Sequence, residues 1–262
     1  MKKTIYKIVW GSMVILGLTT SVSAEEKSND VAIMKLIKTA MSSRVMIQSA
    51  AKAYLYAGND IATTKAENEL LTSLKKFDER FKKLNTSIND PKTKNILLFI
   101  ESNREEIGEL LEEPYSLENA QEIIDLAEVI SEGELSIANR IKMQLKGKVP
   151  SFKGQRYYVT QVAKYYIAYK AGIKDKNTVK KMNKTVENLQ KLIEEMKAYP
   201  KNTPQMNQLM NKIDKQWKIV HQFYIDIKDG DLPLIVYDTT HKLNRKFLKY
   251  AKALIKSKSE KK

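Results

Sequence analysis

The sequence contains no cysteine, so neither a disulfide nor a lipid-modified N-terminal cysteine can form. Nine glycines and six prolines in 262 residues are few for a sheet protein with many tight turns. The two histidines, His221 and His241, lack a nearby acidic or cysteine ligand pattern, which favours surface or interface positions. No glycine-rich phosphate loop and no Gly-x-Ser-x-Gly motif occurs. These absences give no support to an enzyme, and we expect no cofactor and no metal.

Only one long apolar run is present, at residues 8–18. It follows a basic start with three lysines and precedes the small residues Val22, Ser23 and Ala24. This order predicts a secretory signal peptide over residues 1–24, cleaved after Ala24, and hence a periplasmic protein. An uncleaved N-terminal anchor is the alternative, although the run is short for a membrane span of about 20 residues.

The rest of the chain predicts an all-α protein, because most apolar residues recur at three- and four-residue spacing. Helices of 20–30 residues joined by short loops favour up-and-down four-helix bundles. We predict a first domain at residues 25–146, a linker at 147–154 and a second domain at 155–262. The first helix is expected to begin near Asn29 or Asp30, either of which can act as an N-cap.

A duplication relates the two predicted domains. Residues 43–54 return as residues 155–166, 112 positions later, with an Arg and a Lys eight residues apart in both copies. Two further apolar series follow at the same or nearly the same offset. The period is far longer than that of a solenoid repeat, so it indicates two tandem four-helix bundles that can pack as a pseudo-dimer.

Charge is divided unequally between the copies. Residues 25–145 carry 16 Lys and Arg against 21 Asp and Glu, whereas residues 146–262 carry 27 against 10. The basic copy can face the acidic copy, an anionic lipid surface or an acidic partner, or its lysines can simply be solvated. Export argues against nucleic acid as the partner.

The duplicated motif has the chemistry of an anion site. On a helix, Arg44, Gln48 and Lys52 fall on one face. The second copy carries the corresponding polar residues, which are Arg156, Gln161 and Lys164. Arginine suits a planar oxyanion because its fork donates two parallel hydrogen bonds. If the two first helices cross, Arg44 and Arg156 can hold one anion between them, and binding can shift how the helices pack.

This motif resembles the first-helix signature of NarX-like and PilJ-like sensor domains, which are periplasmic modules of nitrate/nitrite sensor kinases and of type IV pilus chemotaxis transducers. Their pattern runs roughly Arg-Met-Leu-Ser-Gln-Arg-Met-Ala-Lys, and Arg44, Gln48, Ala51 and Lys52 match its spacing. In the second copy Gly154, Gln155 and Arg156 match again, together with Ala163 and Lys164. Ser49 stands where the family has a second Arg, and Thr160 stands where Gln is expected.

The resemblance implies a sensor that binds nitrate, nitrite or another oxyanion or carboxylate through Arg44 and Arg156. It also implies that a separate membrane sensor kinase or chemoreceptor receives the signal. Two alternatives stay open. The arginines can be snorkelling residues with solvated guanidinium groups. The protein can also be a ligand-free adaptor whose basic half docks on a membrane surface or an acidic protein. Tyrosines 157, 158, 165, 166 and 169 indicate core packing or an aromatic wall for a ligand.

Overall fold

The structure is a computed structural model that describes residues 6–143, 145, 154–227 and 232–259, with side chains from Asn29 onwards except those of residues 255, 258 and 259. Within these ranges the chain forms eight helices and no strand, which confirms the all-α prediction. The helices are α1 (Tyr6–Gly58), α2 (Thr63–Ser87), α3 (Pro91–Leu110), α4 (Leu117–Lys142), α5 (Gln155–Ala171), α6 (Lys176–Lys197), α7 (Pro204–Ile225) and α8 (Pro233–Ser259).

Side-chain caps explain where four of these helices begin. The side chains of Asp90, Ser116, Asp175 and Thr203 each accept hydrogen bonds from backbone N–H groups of the first turn, at the starts of α3, α4, α6 and α7. Prolines 91 and 204 occupy the first turns of α3 and α7, where their missing N–H group costs nothing.

The start of α1 differs from the expectation. The helix continues through Asn29 and Asp30 from Tyr6, so neither residue is an N-cap. The predicted signal peptide over residues 1–24 lies where the structure describes no side chains, and of the predicted linker only Gly154 is described. No helix in the described part of the chain is long and apolar enough to cross a membrane.

Helix α1 packs against α2, α4 and α5, and α3 packs against α4. Helix α5 packs against α6 and α8, while α7 contacts both α6 and α8. The first four helices and the last four therefore associate among themselves, and α1 and α5 join the two groups. In the last four helices these contacts close a ring of neighbours, as in an up-and-down bundle, whereas α2 and α3 of the first four are at most in slight contact. The division into two tandem domains stays a prediction.

The core lies along α1 and α5, because each of them is covered by other helices on several sides. Residues 43–56 of α1 and residues 159–168 of α5 are buried on every face. Tyr157, Tyr165 and Tyr166 belong to this core, as the packing interpretation of the tyrosine-rich helix expects. The motif residues consequently lie inside the molecule, where each polar group needs a partner.

Candidate functional site

Arg44 joins three helices. It is buried, and its Nε donates to the Ser131 carbonyl oxygen at 3.0 Å and to the Ser131 hydroxyl at 3.2 Å. Its guanidinium carbon lies 4.1 Å from the ring centroid of Tyr157 on α5. The solvated alternative is therefore wrong for Arg44, which holds α1 against α4 and α5 through a hydrogen bond and a cation–π contact.

Gln48 lies one turn further along α1 and is fully buried. Its Nε2 donates to the Ala127 carbonyl oxygen of α4 at 3.2 Å. In the second copy Thr160 takes the corresponding position, and its hydroxyl accepts a hydrogen bond from Asn244 of α8 at 3.2 Å. Both side chains thus tie a first helix to the last helix of its own group of four.

Lys52 is buried and ion-paired. Its Nζ lies 2.8 Å from Oε2 of Glu69 on α2 and 4.6 Å from the ring centroid of Tyr237 on α8. Burial disfavours the charged form of Glu69, but the charge and hydrogen bond of Lys52, together with the nearby His241, outweigh burial and lower the pKa of Glu69 to about 2. His241 Nε2 lies 3.3 Å from the same oxygen, Oε2.

Gln161 and Lys164 share another carboxylate, that of Glu128 on α4. Lys164 is fully buried and forms an ion pair with Oε1 of Glu128, while Gln161 Nε2 donates to both Glu128 oxygens at 3.1 and 3.2 Å. The Tyr165 hydroxyl donates to Oε1 at 2.8 Å. Burial opposes ionisation of Glu128, but these partners lower its pKa to about 2. Four polar side chains thus hold α5 to α4 across the two groups of helices.

The two buried lysines obtain their carboxylates from helices in different positions. Lys52 is paired with Glu69 of the following helix, and Lys164 is paired with Glu128 of the other group of four. The position 112 residues after Glu69 is occupied by Lys181, and the position 113 residues after Glu128 is occupied by His241. Each buried lysine therefore has one carboxylate partner, and the first four helices supply both carboxylates.

Arg156 has different surroundings from those of Arg44. It is half-buried, and its Nε is buried with no hydrogen-bond partner among the described residues. Burial, and then the charge of Arg80 on α2, lowers the pKa of Arg156. The two motif arginines thus lie in separate environments: Arg44 is engaged by Ser131 and Tyr157, whereas Arg156 opens into a groove.

This groove has a volume of about 670 Å³ and lies between α2 and α8, above parts of α1 and α5. We call it the α2–α8 groove. Its cationic lining residues are Lys65, Lys76, Arg156, Lys242 and Arg245, and its acidic ones are Glu69 and Asp238. Since Lys52 already neutralises Glu69, the lining has an excess of positive charge. An arginine that lines such a groove can bind an anion through charge-assisted hydrogen bonds from its guanidinium.

The motif predicted Arg156 but none of the other cations of the groove. Lys65 and Lys76 resemble ordinary solvated lysines of an amphipathic helix, and Arg245 lies almost 90 residues from Arg156 in the sequence. One usable signal is the polar series 65, 69, 72 and 76, which marks a polar stripe along α2. Knowing that α8 lies opposite this stripe requires the fold.

No protein-family model, curated protein or solved structure matches the chain. The resemblance to NarX-like and PilJ-like sensor domains therefore rests on the motif residues. Among residues whose side chains are described, no group of three or more His, Cys, Asp or Glu residues is placed to hold a metal ion.

Proposed function

We propose that this chain is an exported sensory or ligand-binding protein that binds a small anion at Arg156 in the α2–α8 groove. The anion class is that of nitrate, nitrite, another oxyanion or a carboxylate. A separate membrane protein, such as a sensor kinase or chemoreceptor, would receive the signal. The resemblance of both first helices to sensor modules supports the sensory role, and the chemistry of the groove supports the anion.

The observation that carries this proposal is the state of Arg156. Its buried Nε lacks a hydrogen-bond partner within the described part of the chain, and its charged form is disfavoured by burial and by Arg80. A buried donor without a partner costs free energy, and an unbalanced positive charge adds to that cost. A bound oxyanion balances this charge and accepts hydrogen bonds from the part of the guanidinium that lines the groove.

The position of the groove allows anion binding to change how the two groups of helices are arranged. Its walls are α2 from the first group of helices and α8 from the second, and Arg156 belongs to α5. An anion between them contacts both groups at once. Because a ligand favours the conformation that it binds more tightly, it stabilises one relative position of the two groups.

Thermal unfolding of residues 25–262 in the presence of nitrate, nitrite, phosphate, acetate and citrate tests the proposal. A ligand at 100 times its Kd adds about 2.7 kcal/mol of stability, which corresponds to roughly 5–10 °C in Tm for a chain of this size. We expect at least one anion to produce such a shift, and Arg156→Ala to abolish it.

Arg104→Ala is the matched control, since Arg104 forms an ion pair with Asp78 outside the groove. It removes the same charge and should leave the ligand-induced shift unchanged. Equal loss of the shift in both variants, or no shift with any anion, would contradict an anion site at Arg156.

A second candidate function is a ligand-free adaptor that docks on an anionic membrane surface. The observation that favours it is a cation cluster on α7 and α8, where burial and the charges of four neighbours lower the pKa of Lys246. Those neighbours are Lys212, Lys242, Arg245 and Lys249. Co-sedimentation with vesicles rich in anionic phospholipid, but not with neutral vesicles, would support this function, provided that Arg156→Ala leaves the binding intact.

A further inference from the structure

The α2–α8 groove is much larger than a nitrate-sized ion. A water molecule occupies about 30 Å³ of liquid volume, so the groove's 670 Å³ has room for about twenty waters. Sites for small organic molecules have volumes of about 300–1,000 Å³. A three-atom or four-atom anion at Arg156 would leave most of the groove to solvent.

Other cations line the groove together with Arg156. Lys76 belongs to α2, Arg245 belongs to α8, and both line the groove with Arg156. The charge of Arg80 also reaches Arg156, as the lowered pKa of the Arg156 guanidinium shows. These four residues come from three helices. A single negative charge would balance only part of the positive charge that these residues bring to the groove.

The acids of the groove do not offset this cluster. Glu69 contacts Lys52 and His241, so its charge is already paired. Asp238 precedes His241 by three residues on α8, whereas Arg245 follows it by four. With a rise of about 1.5 Å per residue, Asp238 and Arg245 are separated by about 10 Å along the helix axis. The cationic end therefore has no carboxylate of its own in the lining of the groove.

We infer that the ligand of the α2–α8 groove is a small molecule that carries at least two negative charges, such as a polycarboxylate or an organic phosphate. Its charged groups bind Arg156, Lys76 and Arg245, and its remaining atoms extend past His241 towards Tyr237. This inference rests on the proposed anion site at Arg156 and specifies what that site selects: anions with several charges over nitrate and acetate.

Calorimetric titration of residues 25–262 with a charge series tests this selection. The probes are nitrate, acetate, succinate, citrate, phosphate and tripolyphosphate, all at one ionic strength, because exposed charges are screened by salt. We expect the Kd of citrate and of tripolyphosphate to be at least about tenfold lower than the Kd of nitrate or acetate. Comparison of citrate with tripolyphosphate shows whether carboxylate or phosphate groups fit better.

Lys76→Ala and its sequence neighbour Lys75→Ala form a matched pair. Both lysines are exposed, but only Lys76 lines the groove. Lys76→Ala should weaken citrate binding by up to about fivefold, as expected for removal of one exposed charge partner, and Lys75→Ala should leave it unchanged. Arg156→Ala should remove binding of every probe.

The possible results separate this inference from the proposed function. If nitrate or acetate binds as tightly as citrate and tripolyphosphate, and Arg156→Ala abolishes that binding, the selection for several charges is overturned while the anion site stands. If the two lysine variants weaken binding equally, bulk charge attracts the ligand and the inference is also overturned. If no probe binds, both proposals fail.

Discussion

Glu134 on α4 has a buried carboxyl group that lies close to Ser43 and Arg44 of α1. Burial raises its pKa from the ordinary 4.5 to about 8, against the smaller opposing effects of the Ser43 hydroxyl and the Arg44 charge. The folded protein therefore holds a proton on Glu134 that the unfolded chain releases above pH 4.5. Stability from this group is fully present below pH 4.5 and is lost as the pH rises towards 8.

Glu134→Gln should remove this pH dependence. One pKa unit corresponds to about 1.4 kcal/mol, so ionisation of Glu134 should lower the free energy of unfolding by on the order of 4 kcal/mol between pH 4.5 and 8. The neutral amide has no proton to lose, and the variant should be the more stable protein at pH 8. Urea unfolding of both proteins at pH 5 and pH 8 measures the difference.

Glu132→Gln is the control for this prediction, because Glu132 is exposed on the same helix. It should retain the decline in stability between pH 5 and pH 8. The assignment to Glu134 would be refuted by an equally steep decline in Glu134→Gln.

At the scale of single elements, the end of α1 depends on a glycine. A Cβ atom built on Gly58 would lie 2.0 Å from Cδ2 of Tyr115, well inside contact distance. The Tyr115 ring is in turn packed against Tyr54, with 5.3 Å between centroids, and its hydroxyl accepts a hydrogen bond from Asn59 at 2.8 Å. The turn after α1 and the start of α4 are therefore fitted to each other at Gly58.

Gly58→Ala and Gly108→Ala should change stability in opposite directions. Alanine at position 58 must displace Tyr115, and overpacking of this kind costs about 1–3 kcal/mol. At Gly108 of α3 the nearest atom to an added Cβ is Arg104 Nη1 at 3.6 Å, an ordinary contact. Alanine there should stabilise the helix by up to about 1 kcal/mol. Thermal unfolding of the two variants beside the parent protein checks both signs, and destabilisation by both would contradict the prediction.

Much of the helical pattern was predictable because local signals mark its ends. Proline 204 lies in the first turn of α7, and Asp175 caps the start of α6. Caps and prolines act within one turn, so they can be read from adjacent residues. The start of α1 could not be read in this way, since Asn29 and Asp30 have cap chemistry but lie within a continuous helix.

The site was less predictable than the helices, because its partners lie far apart in the sequence. The motif identified Lys52 and Lys164 as polar residues on a buried helix, but not Glu69 and Glu128, which neutralise them. Nor does the motif distinguish Arg44, engaged by Ser131, from Arg156, which opens into a groove. Equivalent positions of a duplicated motif acquire different neighbours when the surrounding helices diverge.

At the scale of the whole molecule, two forces can hold the two groups of helices together. One is the attraction between an acidic first half and a basic second half. The other is the buried contact of α5 with α1 and α4, which includes the Arg44–Tyr157 stack and the Glu128–Lys164 ion pair. Salt separates these contributions, because it screens exposed charges strongly and buried pairs much less.

Cleavage of the chain between the groups measures which force dominates. We expect that a protease site inserted within residues 147–153 of a protein comprising residues 25–262, once cut, leaves two fragments that co-elute in size-exclusion chromatography at both 0.1 M and 1 M salt. The reason is that Tyr157, Val159 and the Glu128–Lys164 pair are shielded from solvent ions. Separation of the fragments at 1 M salt alone would show instead that opposite net charge holds the halves together.

A Glu128→Gln variant tests the buried ion pair directly, because it leaves Lys164 buried without its counterion. This variant should weaken the association of the fragments at either salt concentration. Glu122→Gln is the control, since Glu122 is exposed on the same helix, and it should leave the association unchanged.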